Sequence, residues 1–316
     1  MAQARVGMFR RGVLIGLLCS LGSLSSAAPV SPVAPPLPVP LLWKVSQGQH
    51  TLYLLGSFHL LKPQDYPLAP EVDAAFADAE QLVLELSADE LTSPALGQAM
   101  LAAAQLPAGD SLQRHLKPET WKALQGYAQA NNLPLDALQH LEPWLVATSI
   151  SVQEMARQGL DAQLGLDLHF IGLARQSGKP VTGLEHGQQQ IDMLDGMSPA
   201  EQEQYLAETL ADSGSTGARE TERLHAAWRA GDVQTLRDGL AADMKREYPA
   251  LYQRINVARN DAWLPKLEAR LRGPADEDTL VIVGALHLLG SDGVVEKLRT
   301  KGYAVERVCN ACRPAQ

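Results

Sequence analysis

Two short strings of one design constrain this chain more than any other feature. T-L-Y-L-L-G-S-F-H ends at His59, T-L-V-I-V-G-A-L-H ends at His287, and each is followed by Leu-Leu. In both, an apolar run leads into Gly-x-x-His, spanning Gly56 to His59 and Gly284 to His287. A short, continuous apolar run reads as a buried strand. A glycine at its end permits a tight turn, and the histidine then projects at the carboxyl edge of the strand, where ligand crevices of α/β sheets lie. One G-x-x-H is commonplace. Two copies, each at a strand end, predict two halves of one site.

The flanking segments repeat as well. L-W-K-V and T-L-Y-L-L-G flank Gln47, Gly48 and Gln49 as a hairpin. A helix is expected over 70–80, with Val72, Ala75, Phe76 and Ala79 at helical spacing and Pro70 in the first turn. Q-L-V-L-E-L then returns as a strand. After the second string, Val294, Val295 and Leu298 mark a helix, and Y-A-V-E-R-V a strand. Each unit therefore reads strand, G-x-x-H, helix, strand. Between them, the stretches from about 92 to 178 and from about 187 to 270 are helical in spacing, interrupted by the brief strand V-T-G-L-E ending at Glu185. The expectation is an α/β fold: a central mixed β-sheet flanked by helices, two pseudo-symmetric units, and a helical insertion covering the site.

The first 42 residues belong to another category. Arg5, Arg10 and Arg11 precede the apolar run V-L-I-G-L-L-C-S-L-G, and small residues close it at Ser26, Ala27 and Ala28. That order defines a secretory signal peptide over 1–28, with an apolar run too short to remain as an anchor. Leu18 before Cys19 argues against acylation. Residues 29–42 form a proline-rich linker, and 43–312 the folded domain. The expected location is periplasmic or secreted. Cleavage takes the net charge from −9 to about −12, a surface that repels nucleic acid and anionic lipid. No nucleic-acid partner and no stable membrane insertion after cleavage are expected. Cys309 and Cys312 are expected to form a local disulfide in an oxidising compartment.

Two histidines do not complete a catalytic metal site, which holds three protein ligands as a rule. Glu85 in L-V-L-E-L and Glu185 in V-T-G-L-E each follow an apolar strand core, where a lone carboxylate is costly. An arginine, a sheet-edge amide or a metal would each serve as partner. A His and carboxylate shell suits manganese, iron, cobalt or zinc. Arg259, beside Asn260 on an expected helix, could pair with Glu85 or stabilise an oxyanion, although the sequence by itself favours a surface salt bridge. His186 adjoins Glu185 and ranks below His59 and His287. His50, His115, His140, His169 and His225 lack a companion motif and are expected at solvated or packed positions. The chain has no G-x-S-x-G, H-E-x-x-H or Walker motif, which disfavours the usual serine hydrolases, zincins and P-loop enzymes.

L-W-K-V with L-Y-L-L-G-S-F-H, L-V-L-E-L, the stretch from G-L-D to G-K-P-V-T-G-L-E, A-R-N and V-G-A-L-H-L-L-G occur in order from Trp43 to Val308. Together they resemble the TraB/GumN (TraB/PrgY/GumN) family, with Ser57 where relatives often carry Thr. The resemblance implies a relation to Tiki-type metalloproteases, whose activity is tied to paired G-x-x-H motifs and a divalent metal, and more distantly to the erythromycin esterase/ChaN-like fold. It implies His59 and His287 at the metal or catalytic centre, with Glu85, Glu185 and Arg259 as their acidic and basic companions in catalysis, and Glu85 is the carboxylate expected to complete the metal ligands. Two functions are expected to compete: an exported metal-dependent hydrolase acting on a peptide or small-molecule substrate, and a non-catalytic binding protein for a peptide, small molecule or haem.

Overall fold

The computed structural model describes residues 36–273 and 277–312. The expected leader, and the linker as far as residue 35, lie outside the described residues. The fold is α/β, with six strands in one mixed sheet: β1 (Leu42–Gln47), β2 (His50–Ser57), β3 (Gln81–Leu84), β4 (Val181–Gly183), β5 (Thr279–Gly284) and β6 (Ala304–Arg307). Their order across the sheet is β4-β3-β5-β2-β1-β6. β4, β3, β5 and β2 run parallel, while β1 is antiparallel to both β2 and β6.

Burial follows position in the sheet. Every residue of β5, at the centre, is buried, as expected of a parallel strand covered on both faces. Edge strand β6 is only half-buried and alternates along its length. The hairpin forms as the sequence predicts, with Gly48 in the left-handed region at its turn. The first helix covers Pro70–Asp78, two residues shorter than expected, because Ala79 is already extended. Its Pro70 sits in the first turn, with Glu71 and Asp73 near the positive end of the helix dipole.

The two G-x-x-H segments lie in different surroundings. β3, which closes the first, lies directly beside β5, whereas β6, which closes the second, is separated from β2 by β1. His287 sits in a four-residue helical turn, Ala285–Leu288, and His59 in an irregular loop. The helices between β3 and β5 carry a smaller core of their own, where Leu124, Val146, Ala147, Ile150 and Leu206 pack together. Among the described residues, no helix is long and apolar enough to cross a membrane. Cys309 and Cys312 are joined by a disulfide.

A buried polar cluster braces the first unit from below. Asp65 has no exposed surface. It accepts from Lys62 N at 2.7 Å, pairs with His225 Nε2 at 2.8 Å, and takes Arg229 Nη1 on its other oxygen. His225 is thus packed, stacked on Trp228, whose indole N–H donates to Gly56 O at 3.2 Å. Burial alone would raise the Asp65 carboxyl, but the bonds from His225, Lys62 and Arg229 hold it below its ordinary value. A lowered folded-state pKa gives stability that is present above the unfolded value near ~3.9 and lost as pH falls through the folded one. Asp65→Asn should therefore cost about 3 kcal/mol at pH 7. Urea denaturation should show the gap from wild type closing below about pH 4; a gap independent of pH would contradict this.

Candidate active site

The parallel strands deliver four residues to one edge. Ser57 and Gly284 are register partners at the ends of β2 and β5. β3 ends one residue before Glu85 and β4 two residues before Glu185, and Glu185 N donates to Glu85 O at 3.0 Å, extending the ladder. His59, Glu85, Glu185 and His287 therefore emerge side by side.

The two motif glycines are required by close approach. Neither has a positive φ. A Cβ on Gly284 would lie 3.1 Å from His59 Nε2 and 3.3 Å from Glu85 Oε1, and one on Gly56 would lie 3.0 Å from the Leu41 Cβ. Gly165 is tighter still, since its Cβ would fall 2.0 Å from the His59 carbonyl oxygen. It leads the helix Leu166–Ser177, whose second residue is Asp167.

Asp167 sets the first histidine. Its Oδ2 lies 2.9 Å from His59 Nδ1 and accepts from Ser57 Oγ at 2.7 Å. Asn260 does the same for the second, with Oδ1 at 2.7 Å from His287 Nδ1. Each imidazole thus turns Nε2 inward, and Glu85 Oε1 stands 3.9 Å from both Nε2 atoms. The same oxygen accepts from Gly284 N at 2.8 Å.

Arg259 and Asn260 come from the helix Ala258–Arg270. A π-helical turn, Gln253–Val257, precedes it, and such turns re-aim the side chains that follow. The surface salt bridge that the sequence favoured for Arg259 is overturned, because this helix turns Arg259, Asn260 and Trp263 toward the sheet edge. Arg259 Nη2 reaches Glu85 Oε2 at 2.5 Å and Glu185 Oε1 at 2.6 Å, and Nη1 lies 3.0 Å from His287 Nε2 and 3.2 Å from Ile255 O. Glu185 also accepts from Trp263 Nε1 at 3.1 Å and Gln190 Nε2 at 2.8 Å.

The histidines differ electrostatically. Burial pushes His287 down to about 3, helped by Arg259 and His59 and opposed by Glu85, so it is neutral near pH 7. Burial would also lower His59, but Asp167, and then Glu85, raise it to about 9. Its side chain is 54% exposed, so water on the open side screens part of this attraction. Burial alone would raise Glu85, yet the neighbouring His287, Arg259 and His59 and the Gly284 N–H hold it well below the carboxylate range. Since His287 is neutral near pH 7, the positive charges beside Glu85 are those of Arg259 and of the raised His59.

Among the described residues, no group of three His, Cys, Asp or Glu side chains is already spaced to hold a metal ion. The donor chemistry nonetheless fits one. Two imidazoles whose Nδ1 is tied to an oxygen present Nε2 as the ligating atom, the usual outer support of a metal centre, and His59 must give up its proton to ligate. Ligands sharing a cation at about 2.1 Å lie roughly 3.4 Å apart in tetrahedral geometry, so the 3.9 Å spacings need a small closure. Arg259 must also release His287 Nε2, which leaves its Nη1 still bonded to Ile255 O.

All five residues named from the sequence, His59, Glu85, Glu185, Arg259 and His287, therefore meet in one cluster. His186 is instead exposed at a helix start and His115 pairs with Asp110. Asp167, Gln190 and Trp263 carried no role in the sequence reading, although Asp167 lies within the G-L-D string.

The class defined by this edge is an α/β protein with a His, carboxylate and Arg cluster. The chain belongs to the TraB/PrgY/gumN family, whose model matches residues 41–307. It is 27% identical over 252 residues to the uncharacterized protein YbaP of Escherichia coli (strain K12), covering 80% of this chain and 89% of that one. To YbaP of Shigella flexneri it is 27% identical over 275 residues, covering 83% and 98%. To the metalloprotease TIKI2 of Danio rerio it is 23% identical over 323 residues, covering 84% of this chain and 60% of that one. No solved structure matches the chain.

A prediction follows for Asp167 in the metal-free protein. Because the raised His59 pKa depends on Asp167, Asp167→Asn should bring it down by more than one unit, read by NMR titration of the ring. A raised pKa gives stability that is full below the unfolded value near ~6.5 and lost as pH rises through the folded one. Wild type and variant should therefore converge in this contribution above about pH 9. An unchanged titration would remove Asp167 from this role.

Proposed function

We propose that this chain is an exported metal-dependent hydrolase acting on peptide bonds. The observation that carries the reading is the gap that His59 Nε2, His287 Nε2 and Glu85 Oε1 share, with each nitrogen 3.9 Å from the oxygen. The likeness to a protein named as a metalloprotease supports it. Export is supported by the leader pattern over 1–28 and by the Cys309–Cys312 disulfide. The two G-x-x-H units are read as pseudo-symmetric halves in the manner of the ChaN-like fold, modified by the insertion of β1.

His59, His287 and Glu85 would hold the cation, one of manganese, cobalt, zinc or iron. When bound, a divalent cation supplies Lewis acidity toward a carbonyl and toward water. Asp167 and Asn260 hold the rings by Nδ1, and each Nε2 then stands 3.9 Å from Glu85 Oε1. Glu85, ionised and with one oxygen facing the gap, would serve as the anionic ligand, and the same neighbours that hold its carboxyl well below the ordinary range make it a weak base. Glu185 is committed to Arg259, Trp263 and Gln190, so it anchors the guanidinium. Arg259, held at the edge, sets its charge beside a developing oxyanion.

The test is elemental analysis of the mature protein grown with each of the four metals, beside His59→Ala and His287→Ala, with peptide cleavage followed in parallel. About one metal per chain in wild type, and affinity at least tenfold weaker in each variant, is expected, with cleavage only in the loaded form. Stoichiometric metal that both variants retain, or none in any form, would overturn the proposal.

A further inference from the structure

A second concavity lies along the same edge. A cavity of about 300 Å³ opens between the helices that follow β3 and β4. Its apolar surface comes from Ala95, Leu96, Ala99 and Ile191, and its rim carries Asp89 and Glu90. The helix Gly187–Asp195 is a wall shared with the charged cluster. Ile191 lines the cavity, while Gln190 reaches Glu185 at 2.8 Å and Glu85 at 3.4 Å. The helix Pro94–Ala103, which forms the opposite wall, has no buried residue, and its Leu101 is 48% exposed. Glu90 is fixed in place by Gly187 N at 2.9 Å and Ser87 Oγ at 2.9 Å. Its carboxyl is held below the ordinary value by the Gly187 bond, so the rim is anionic at neutral pH.

The spacing along the edge is informative. The cavity walls are the helices that follow β3 and β4, the two histidines follow β2 and β5, and these strands stand in the order β4-β3-β5-β2. The midpoints of those two strand pairs lie two strand spacings apart, ~10 Å, which an extended peptide covers in about three residues. We propose that this cavity is a substrate subsite. It takes the apolar side chain of a peptide residue about three positions from the bond at the histidine pair, and its acidic rim favours a lysine or arginine next to that residue. The inference rests on the peptide-hydrolase reading for its distance from the bond, and on the cavity alone for its chemistry.

Ala99→Trp fills the cavity from a helix with no fully buried residue, so the fold should tolerate it; circular dichroism and the melting temperature check that it does. Binding is measured apart from catalysis, by anisotropy of fluorescein-labelled Gly-Gly-Leu-Lys-Gly-Gly on the His59→Ala, His287→Ala double variant, with and without Ala99→Trp. The control peptide has Gly in place of Leu. The expected result is tighter binding of the leucine peptide, by about tenfold, lost with Ala99→Trp and weakened by Asp89→Lys. Equal binding of the two peptides, or a preference that Ala99→Trp leaves intact, overturns the subsite. A confirmed subsite in a protein that cleaves no peptide would sink the hydrolase reading alone.

Discussion

The arrangement depends on Arg259 standing between Glu85 and Glu185. The two carboxylates leave adjacent strands at the same level, tied by the Glu185 N to Glu85 O bond, and both are buried. Without a cation between them, two buried carboxylates this close would have no countercharge. The guanidinium, bonded to both, satisfies them in a fork geometry that lysine could not reproduce. Its own position is over-determined by Trp263, whose ring it covers at 4.8 Å, and by Ile255 O. A buried ion cluster of this kind is weak evidence for stability, since apolar residues of the same size would often serve better. Its presence at the carboxyl edge of the sheet points to function.

Around that cluster the two motif histidines are unequal. His59 is half-open, raised, and tied to a carboxylate; His287 is enclosed, neutral, and tied to an amide. The difference follows from where each motif lies. The His59 loop crosses the start of the Leu166–Ser177 helix, so close that Gly165 has no room for a Cβ. His287 sits in a helical turn under Trp263, with ring centroids 4.4 Å apart. One copy of the motif thus supplies an accessible ring and the other an enclosed one, both aimed at Glu85.

The sheet-borne part of this site was legible in the sequence. Apolar runs ending in Gly-x-x-His, or in a single carboxylate, identify strand ends, and strand ends of a parallel sheet must converge. The helix-borne part was not. Asp167, Gln190 and Trp263 sit on amphipathic helices, where spacing tells which face is buried but not what it meets. Arg259 was placed on a helix correctly, yet its burial depends on the approach of that helix after a π-helical turn, which local pattern does not encode. The motif glycines were read as turn formers. They act by admitting Leu41 and His59 to contact distance, a tertiary property.

The central claim is that His59, His287 and Glu85 share one cation. Anomalous diffraction from crystals of the mature protein soaked in manganese tests it most directly. The account predicts a single strong peak within about 2.3 Å of both Nε2 atoms and a Glu85 oxygen, with the Arg259 Nη1 withdrawn from His287. A manganese-loaded crystal with no peak there, and Arg259 still bonded to His287, would contradict it.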